Sequence, residues 1–255
     1  MKIYMIANQK GGCGKTTTAV ALASILQKKG FRSLLIDADQ QGNSTDNYQA
    51  KFEGVATLYD IMLTPGEVKP IDAVQKTAAG DIIASDPLLR EAEAKLSADP
   101  EGDFRLKDVV NDLDPYYDYV IIDTAPALNK VMRNCLVACH EVIIPVTADR
   151  FSMQGLSQLY ETIEAIKKRM NPDLKIAGLL MVRHNDRTNL SKEAKETFGK
   201  HAAQMGTRLF STFIRESTKA REAQAVRTQL MTYAPGSTTA RDYWNFTEEL
   251  LEGEG

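Results

Sequence analysis

The stretch Asn8-Gln9-Lys10-Gly11-Gly12-Cys13-Gly14-Lys15-Thr16-Thr17-Thr18 carries the residue types needed to hold a phosphate. Gly14-Lys15-Thr16 closes the pattern G-x-x-x-x-G-K-[ST]. In that pattern backbone N–H groups cradle phosphate oxygens, the lysine neutralises them and the hydroxyl serves a divalent cation. Gly11, Gly12 and Gly14 allow the backbone to bend with its N–H groups inward, with Cys13 between them. The positive end of a following helix favours the same anion. Lys15 is then placed for the β- and γ-phosphates, Thr16 for Mg²⁺, and Thr17 beside them for the nucleotide. Two features depart from the pattern: Gln9 stands where it asks for glycine, and Lys10 adds a cation it does not require.

Two acidic positions belong with this loop. Asp37 and Asp39 end the run Leu34-Leu35-Ile36, and Asp123 ends Tyr119-Val120-Ile121-Ile122. Carboxylates at the C-terminal ends of parallel strands converge on the side where ligands bind. Asp123 is placed to hold Mg²⁺ through water. Asp37 and Asp39 are expected to point apart, one toward the metal and the other toward an attacking water.

The elements that must position these residues alternate along the 255-residue chain. Strands are expected at 2–7, 33–37, 81–85, 118–123, 141–147, 175–182 and 208–214. They are continuous apolar runs, as in parallel strands covered on both faces. Helices are expected at 15–29, 88–96, 105–113, 129–139, 154–170, 190–203, 217–229 and 238–251. The alternation implies an α/β fold: a doubly wound, mostly parallel sheet with helices on both faces, in a single P-loop NTPase domain over 1–255. With 43% hydrophobic and 25% charged residues the composition is that of an ordinary globular protein. No apolar run approaches the ~20 residues of a membrane span, and the N-terminus reads as a first strand rather than a signal peptide. Three cysteines argue against a disulfide framework and for a reducing cytoplasm.

"KGGCGKTTT", "LLIDADQQGNST", "YVIIDTAP" and "GLLMVRHNDRTNLSKEA" together resemble the ParA/Soj branch of the deviant Walker A ATPases, to which MinD is related. The resemblance spans about residues 2 to 250. It implies ATP and Mg²⁺ as cofactors, and a nucleotide-sandwich homodimer in which Lys10 reaches the phosphates of the other subunit. Dimer formation would then depend on ATP, because a triphosphate offers enough negative charge to offset two lysine-rich loops. By the same resemblance Asp39 orients the water, Asp37 is its Mg²⁺-linked neighbour, and Asp123 is the Walker B residue. Catalysis would rest on Lys10, Lys15 and Asp39, and hydrolysis would be slow until a partner completes the site. Two segments depart from the family. Its Asp-Pro-Gln-Gly is Asp39-Gln40-Gln41-Gly42 here, and its late Ile-Pro-Arg, whose backbone frames the adenine, is Ile214-Arg215-Glu216.

The family divides by cargo, and charge bears on the choice. Residues 165–230 hold 14 lysines and arginines against 6 acids, although the whole chain carries −3. Such asymmetry points to an anionic partner. Resemblance to ParA proteins implies DNA held without sequence preference by basic residues of the C-terminal half; the candidates in the basic segment are Arg187, Lys192, Lys195, Lys219, Arg221 and Arg227, of which Lys219 matches a DNA-contacting arginine of the family. It also implies a ParB-like centromere-binding partner and a cytoplasmic, nucleoid-associated location. The alternative is a positioning ATPase with a protein or membrane cargo. The C-terminal stretch 243–255 has four glutamates and no lysine, which an anionic membrane would repel, so no membrane partner is expected. Cys135 and Cys139, four apart on an expected helix, raise an iron–sulfur cluster but lack C-x-x-C spacing. With the first strand at Lys2, no preceding helix-turn-helix is expected.

Overall fold

The computed structural model describes residues 1–149, 151–185 and 189–253. In chain order the elements are β1 (Lys2–Ile6), α1 (Lys15–Lys28), β2 (Ser33–Ala38), α2 (Asn43–Asn47), α3 (Leu58–Leu63), β3 (Val74–Thr77) and β4 (Gly80–Ile83). Then come α4 (Ala92–Ala98), α5 (Arg105–Leu113), β5 (Tyr119–Thr124), α6 (Lys130–Ala138), β6 (Glu141–Val146) and α7 (Phe151–Arg169). The last are β7 (Lys175–His184), α8 (Asn189–Gln204), β8 (Ile214–Arg215), α9 (Thr218–Ala225), α10 (Leu230–Tyr233) and α11 (Thr238–Glu252).

The strands form one eight-stranded sheet in the order β3-β4-β2-β5-β1-β6-β7-β8. Every pairing is parallel except β3 with β4. Because successive side chains leave a strand on opposite faces, each central strand feeds two cores. Ile3, Met5, Leu34, Ile36, Val120 and Ile122 face the layer of α5, α6 and α7. Tyr4, Ile6, Leu35 and Ile121 face α1 and α11. Both faces are covered, which is why the strands read as unbroken apolar runs.

Several expectations need correction. Residues 208–214 form no strand: Leu209 makes one bridge to Leu179, and pairing resumes only at Ile214–Arg215. The helix expected at 217–229 stops early, at Ala225, because Arg227 adopts a left-handed φ of 51°, and α10, which had no expectation, starts only at Leu230. The segment 88–96 begins as a 3-10 turn, Pro87–Glu91, before α4. Strand β3 and helices α2 and α3 had no expectation. Residues 105–113 form a helix as expected. Cys135 and Cys139 are 0% and 1% exposed in the core, and burial pushes both thiols up, so neither faces out to hold a cluster. On α11 the apolar Tyr243, Phe246 and Leu250 are buried against the sheet rather than displayed. Among the described residues no helix is long and apolar enough to cross a membrane.

Phe246 packs edge-on against Phe210 at 4.9 Å and is 0% exposed. Phe246→Ala should therefore cost roughly 3–5 kcal/mol of unfolding free energy in a urea titration. A loss below about 1 kcal/mol would mean that α11 is not part of the core.

Candidate nucleotide site

The register of three strands builds the site. Asp123 pairs with Ile6 on one side and with Asp37 on the other, so the acidic strand ends lie directly beside the loop that follows β1. That loop turns at Gly12 and Gly14, with φ of 69° and 83°, a region where a Cβ would be strained. Gly11 needs no such conformation. Gly14 is the residue before α1, so the first N–H groups of this helix open toward the loop.

Buried Asn8, which sequence patterns had not singled out, anchors the loop. Its Nδ2 donates to the Pro145 carbonyl at 2.6 Å, and its Oδ1 accepts from the Lys10 N–H at 2.9 Å. Lys15 is 7% exposed and donates from Nζ to the Lys10 carbonyl at 3.1 Å. Cys13 donates to the same carbonyl, and burial raises its thiol pKa. The extra lysine, Lys10, turns to the end of β6, where Nζ donates to Thr147 Oγ1 at 3.1 Å and to Asp149. Thr147 in turn donates to Asp149 at 2.5 Å. Thr147 and Asp149 were also missed, though they follow a strand whose C-terminal end faces the loop.

Asp37, Asp39 and Asp123 come together. Asp37 lies within β2 and Asp39 just past its end at Ala38, so strand alternation fixes the side of Asp37 alone. The Asp39 N–H donates to Asp37 Oδ1 at 3.2 Å. Asp37 Oδ2 accepts from the Thr45 N–H at 2.7 Å and from its hydroxyl at 2.8 Å. Asp123 Oδ2 accepts from Ser44 at 2.8 Å, and the Thr16 hydroxyl lies near enough to lower the carboxylate's pKa against the effect of burial. Asp39 is 7% exposed, with Oδ1 taking the Gln41 N–H and its carbonyl taking Ser85. Burial raises the pKa of Asp37 and of Asp123, and the negative charge of the neighbouring carboxylate adds to each rise.

Among the described residues, the buried Asp123 Oδ1 has no hydrogen-bond partner. An orphaned carboxylate oxygen beside the Thr16 hydroxyl suits a cation. Among the described residues no three His, Cys, Asp or Glu side chains form a metal cage. Such a donor set fits an ion that keeps most of its waters and takes the rest of its ligands from phosphate, as Mg²⁺ does.

Beside the loop lies a cleft lined by Gly14, Thr17, Arg183, Ile214, Arg215 and Tyr243. Ile214 and Arg215 thus form a wall of the cleft that opens beside Gly14 and Thr17 of the loop. A family model described as "AAA domain" matches residues 1–176. The chain is 32% identical over 259 residues to the chromosome partitioning protein ParA of Caulobacter vibrioides, covering 100% of this chain and 95% of that one. It is 34% identical over 252 residues to the sporulation initiation inhibitor protein Soj of Bacillus subtilis, covering 98% of each. The chain belongs to the ParA/Soj family. A cobyrinic acid a,c-diamide synthase from Mycobacterium smegmatis, solved with an ATP analog and magnesium, superposes with a TM-score of 0.84. It shares 28% identity and covers 98% of this chain and 94% of its own. A synthase and partition proteins on one fold mean that function must be argued from the site.

The basic candidates are less uniform. Arg187 lies outside the described residues. Lys192 and Lys195 are exposed on α8, where Lys195 lies over the Phe213 ring at 5.9 Å. Lys219 pairs with Glu222 at 2.7 Å, Arg221 with Glu216 at 3.4 Å, and Arg227 with Asp46 at 3.9 Å.

Asn8→Ala removes a fully buried amide that joins the loop to β6. We expect it to cost about 1–3 kcal/mol in denaturant unfolding and to speed hydrogen exchange at the Lys10 amide. An unchanged Lys10 exchange rate would contradict the anchoring role.

Proposed function

We propose that this single-domain chain is an ATP-hydrolysing partition protein. Its ATP-bound homodimer holds DNA without regard to sequence, and a ParB-like protein at a centromere site stimulates turnover. The convergence of Asp37, Asp39 and Asp123 beside a loop that carries both Lys10 and Lys15 supports this most directly. The partition relatives, and the ATP analog and magnesium bound by the structural neighbour, support the choice of ATP.

In this account Lys15 exchanges the Lys10 carbonyl for β- and γ-phosphate oxygens. The loop N–H groups of Gly11 to Thr17 face the same oxygens. Thr16 and Asp123, with Asp37 behind them, would hold Mg²⁺, which supplies charge neutralisation across the phosphates. Asp39 orients the water for in-line attack on the γ-phosphorus. Lys10 leaves Asp149 and neutralises the phosphates bound by the other subunit. That exchange costs little: both side chains of the Lys10–Asp149 pair are about a third exposed, at 30% and 34%, and such pairs contribute ~0–1 kcal/mol. Two lysines then meet growing charge on the γ-phosphate oxygens, where a preorganised cation counts most.

DNA would be met by the exposed Lys192 and Lys195, by Arg187, and by Lys219, Arg221 and Arg227 once phosphates replace their acidic partners. These surface pairs are also weak enough to yield. Dimerisation doubles the charge offered to a duplex, which ties grip to ATP. The acid pairing of Lys219, Arg221 and Arg227 favours a second reading, in which the dimer carries a protein instead of DNA.

Lys10→Ala should abolish the ATP-dependent dimer in sedimentation velocity while nucleotide still binds the monomer. A dimer of unchanged stability would remove the trans role. Asp39→Ala should keep ATP binding and dimerisation while phosphate release falls by about 100-fold or more, the scale of losing a positioned base. Turnover at the wild-type rate would sink that assignment.

A further inference from the structure

One wall of the cleft hangs from the edge of the sheet. Strand β8 is two residues long and pairs only with β7, whose register shifts between Val182 and His184. Between them Arg183 takes a left-handed φ of 53°. So short an edge strand is weakly held by the sheet, because one side of its backbone faces away from β7. Helix α11 supplies side-chain partners to both backbone groups of Arg215. The Arg215 N–H donates to Asp242 Oδ2 at 3.0 Å, and Thr239 Oγ1 donates to the Arg215 carbonyl at 3.3 Å. The Arg215 guanidinium closes on the same carboxylate, with Nε to Oδ2 at 3.0 Å and a terminal nitrogen to Oδ1 at 2.5 Å. Asp242 is only 5% exposed, so one buried carboxylate takes three N–H groups of one residue.

The next residue of α11 faces the phosphate side. Tyr243 hydrogen-bonds through its hydroxyl to Thr18 of α1 at 3.1 Å. Consecutive residues of one helix therefore tie the base wall to the helix that starts at the phosphate loop.

We propose that the Arg215–Asp242 clamp is a positioning pair that sets the distance between the Ile214–Glu216 wall and the loop, and so seats the nucleobase. The inference rests on the reading that this cleft takes the base of ATP. The clamp touches no reacting atom and acts through the wall. Loosening it should weaken what lies against the wall, the base, and spare what the loop holds, the phosphates. A bidentate pair with a backbone N–H on the same carboxylate is geometrically demanding, so a shorter or neutral side chain at position 242 cannot replace it.

The test compares ATP with ribose 5′-triphosphate, which keeps the phosphates and lacks the base, on the full-length protein. In the wild type KM should be lower for ATP. In Asp242→Ala, KM for ATP should rise about tenfold, the worth of one or two lost hydrogen bonds. Its kcat should stay within about threefold, since positioning of the base is uniform binding. KM for ribose triphosphate should not move. Equal losses on both substrates, or a loss in kcat with KM unchanged, would overturn the proposal and leave a structural role. A wild type that does not distinguish the two substrates would refute the base reading itself, and with it the clamp. Where Asp242→Ala lowers Tm too far for kinetics, Arg215→Ala decides, because it keeps the backbone hydrogen bond and removes a side chain that is 44% exposed. It should raise KM for ATP in the same selective way, with Arg215→Lys partly restoring it, and an unshifted KM would overturn the proposal.

Discussion

Two carboxylates held side by side in the interior govern this structure. Asp37 and Asp123 are register partners on adjacent strands and are both 0% exposed. Removing two such charges from water costs several kcal/mol each unless donors and cations replace the lost solvent. Thr45 and Ser44 supply the donors, with the Thr16 hydroxyl and the Lys15 charge close by. The short helix α2 exists to bring Ser44 and Thr45 to these acids, and Gly42, with φ of 64°, permits the turn that starts it. Asp123 Oδ1 is left over among the described residues. A buried acidic pair with an unused oxygen beside a lysine loop is a site that calls for a cation and a polyanion together.

From that centre the same helices reach outward in two directions. Helix α2 also meets the basic segment, because Asp46 faces Arg227, and just past the helix Gln49 Nε2 donates to the Arg227 carbonyl at 3.2 Å. Both Gln49 and Arg227 hold left-handed backbone conformations at this junction, with φ of 52° and 51°. Non-glycine residues in that region cost about a kcal/mol or more and persist where surrounding contacts fix them. Helix α11 spans the other side, from the phosphate helix to the cleft wall. The chain thus couples its acidic centre to its cationic surface through short elements rather than through the sheet.

Much of the centre was legible in the sequence because it is local. Gly14-Lys15-Thr16, Asp37, Asp39 and Asp123 are each fixed by an adjacent apolar run, and the parallel sheet then brings the strand ends together. What was not legible is long-range. Asn8 bonds Pro145 and Lys10 meets Asp149 across more than a hundred residues, and no periodicity records such a pairing. The strand expected over 208–214 failed because its apolar residues serve packing: Phe210 meets Phe246 edge-on in the core while the backbone pairs with β7 at single points. The 217–229 helix stopped at Ala225, ahead of the left-handed Arg227, whose carbonyl accepts from Gln49 instead of continuing the helix. The missed β3 is an edge strand of four residues paired to β4 alone, too short and too polar to carry a pattern.

The measurement that tests the account most directly is fluorescence anisotropy of a labelled duplex of arbitrary sequence, with ATP, ADP or no nucleotide, over a salt series. Binding is expected with ATP alone, with log K falling steeply and linearly against log salt as phosphate-bound counterions are released. Binding that ignores the nucleotide, or no binding in a protein that still turns over ATP, would contradict it.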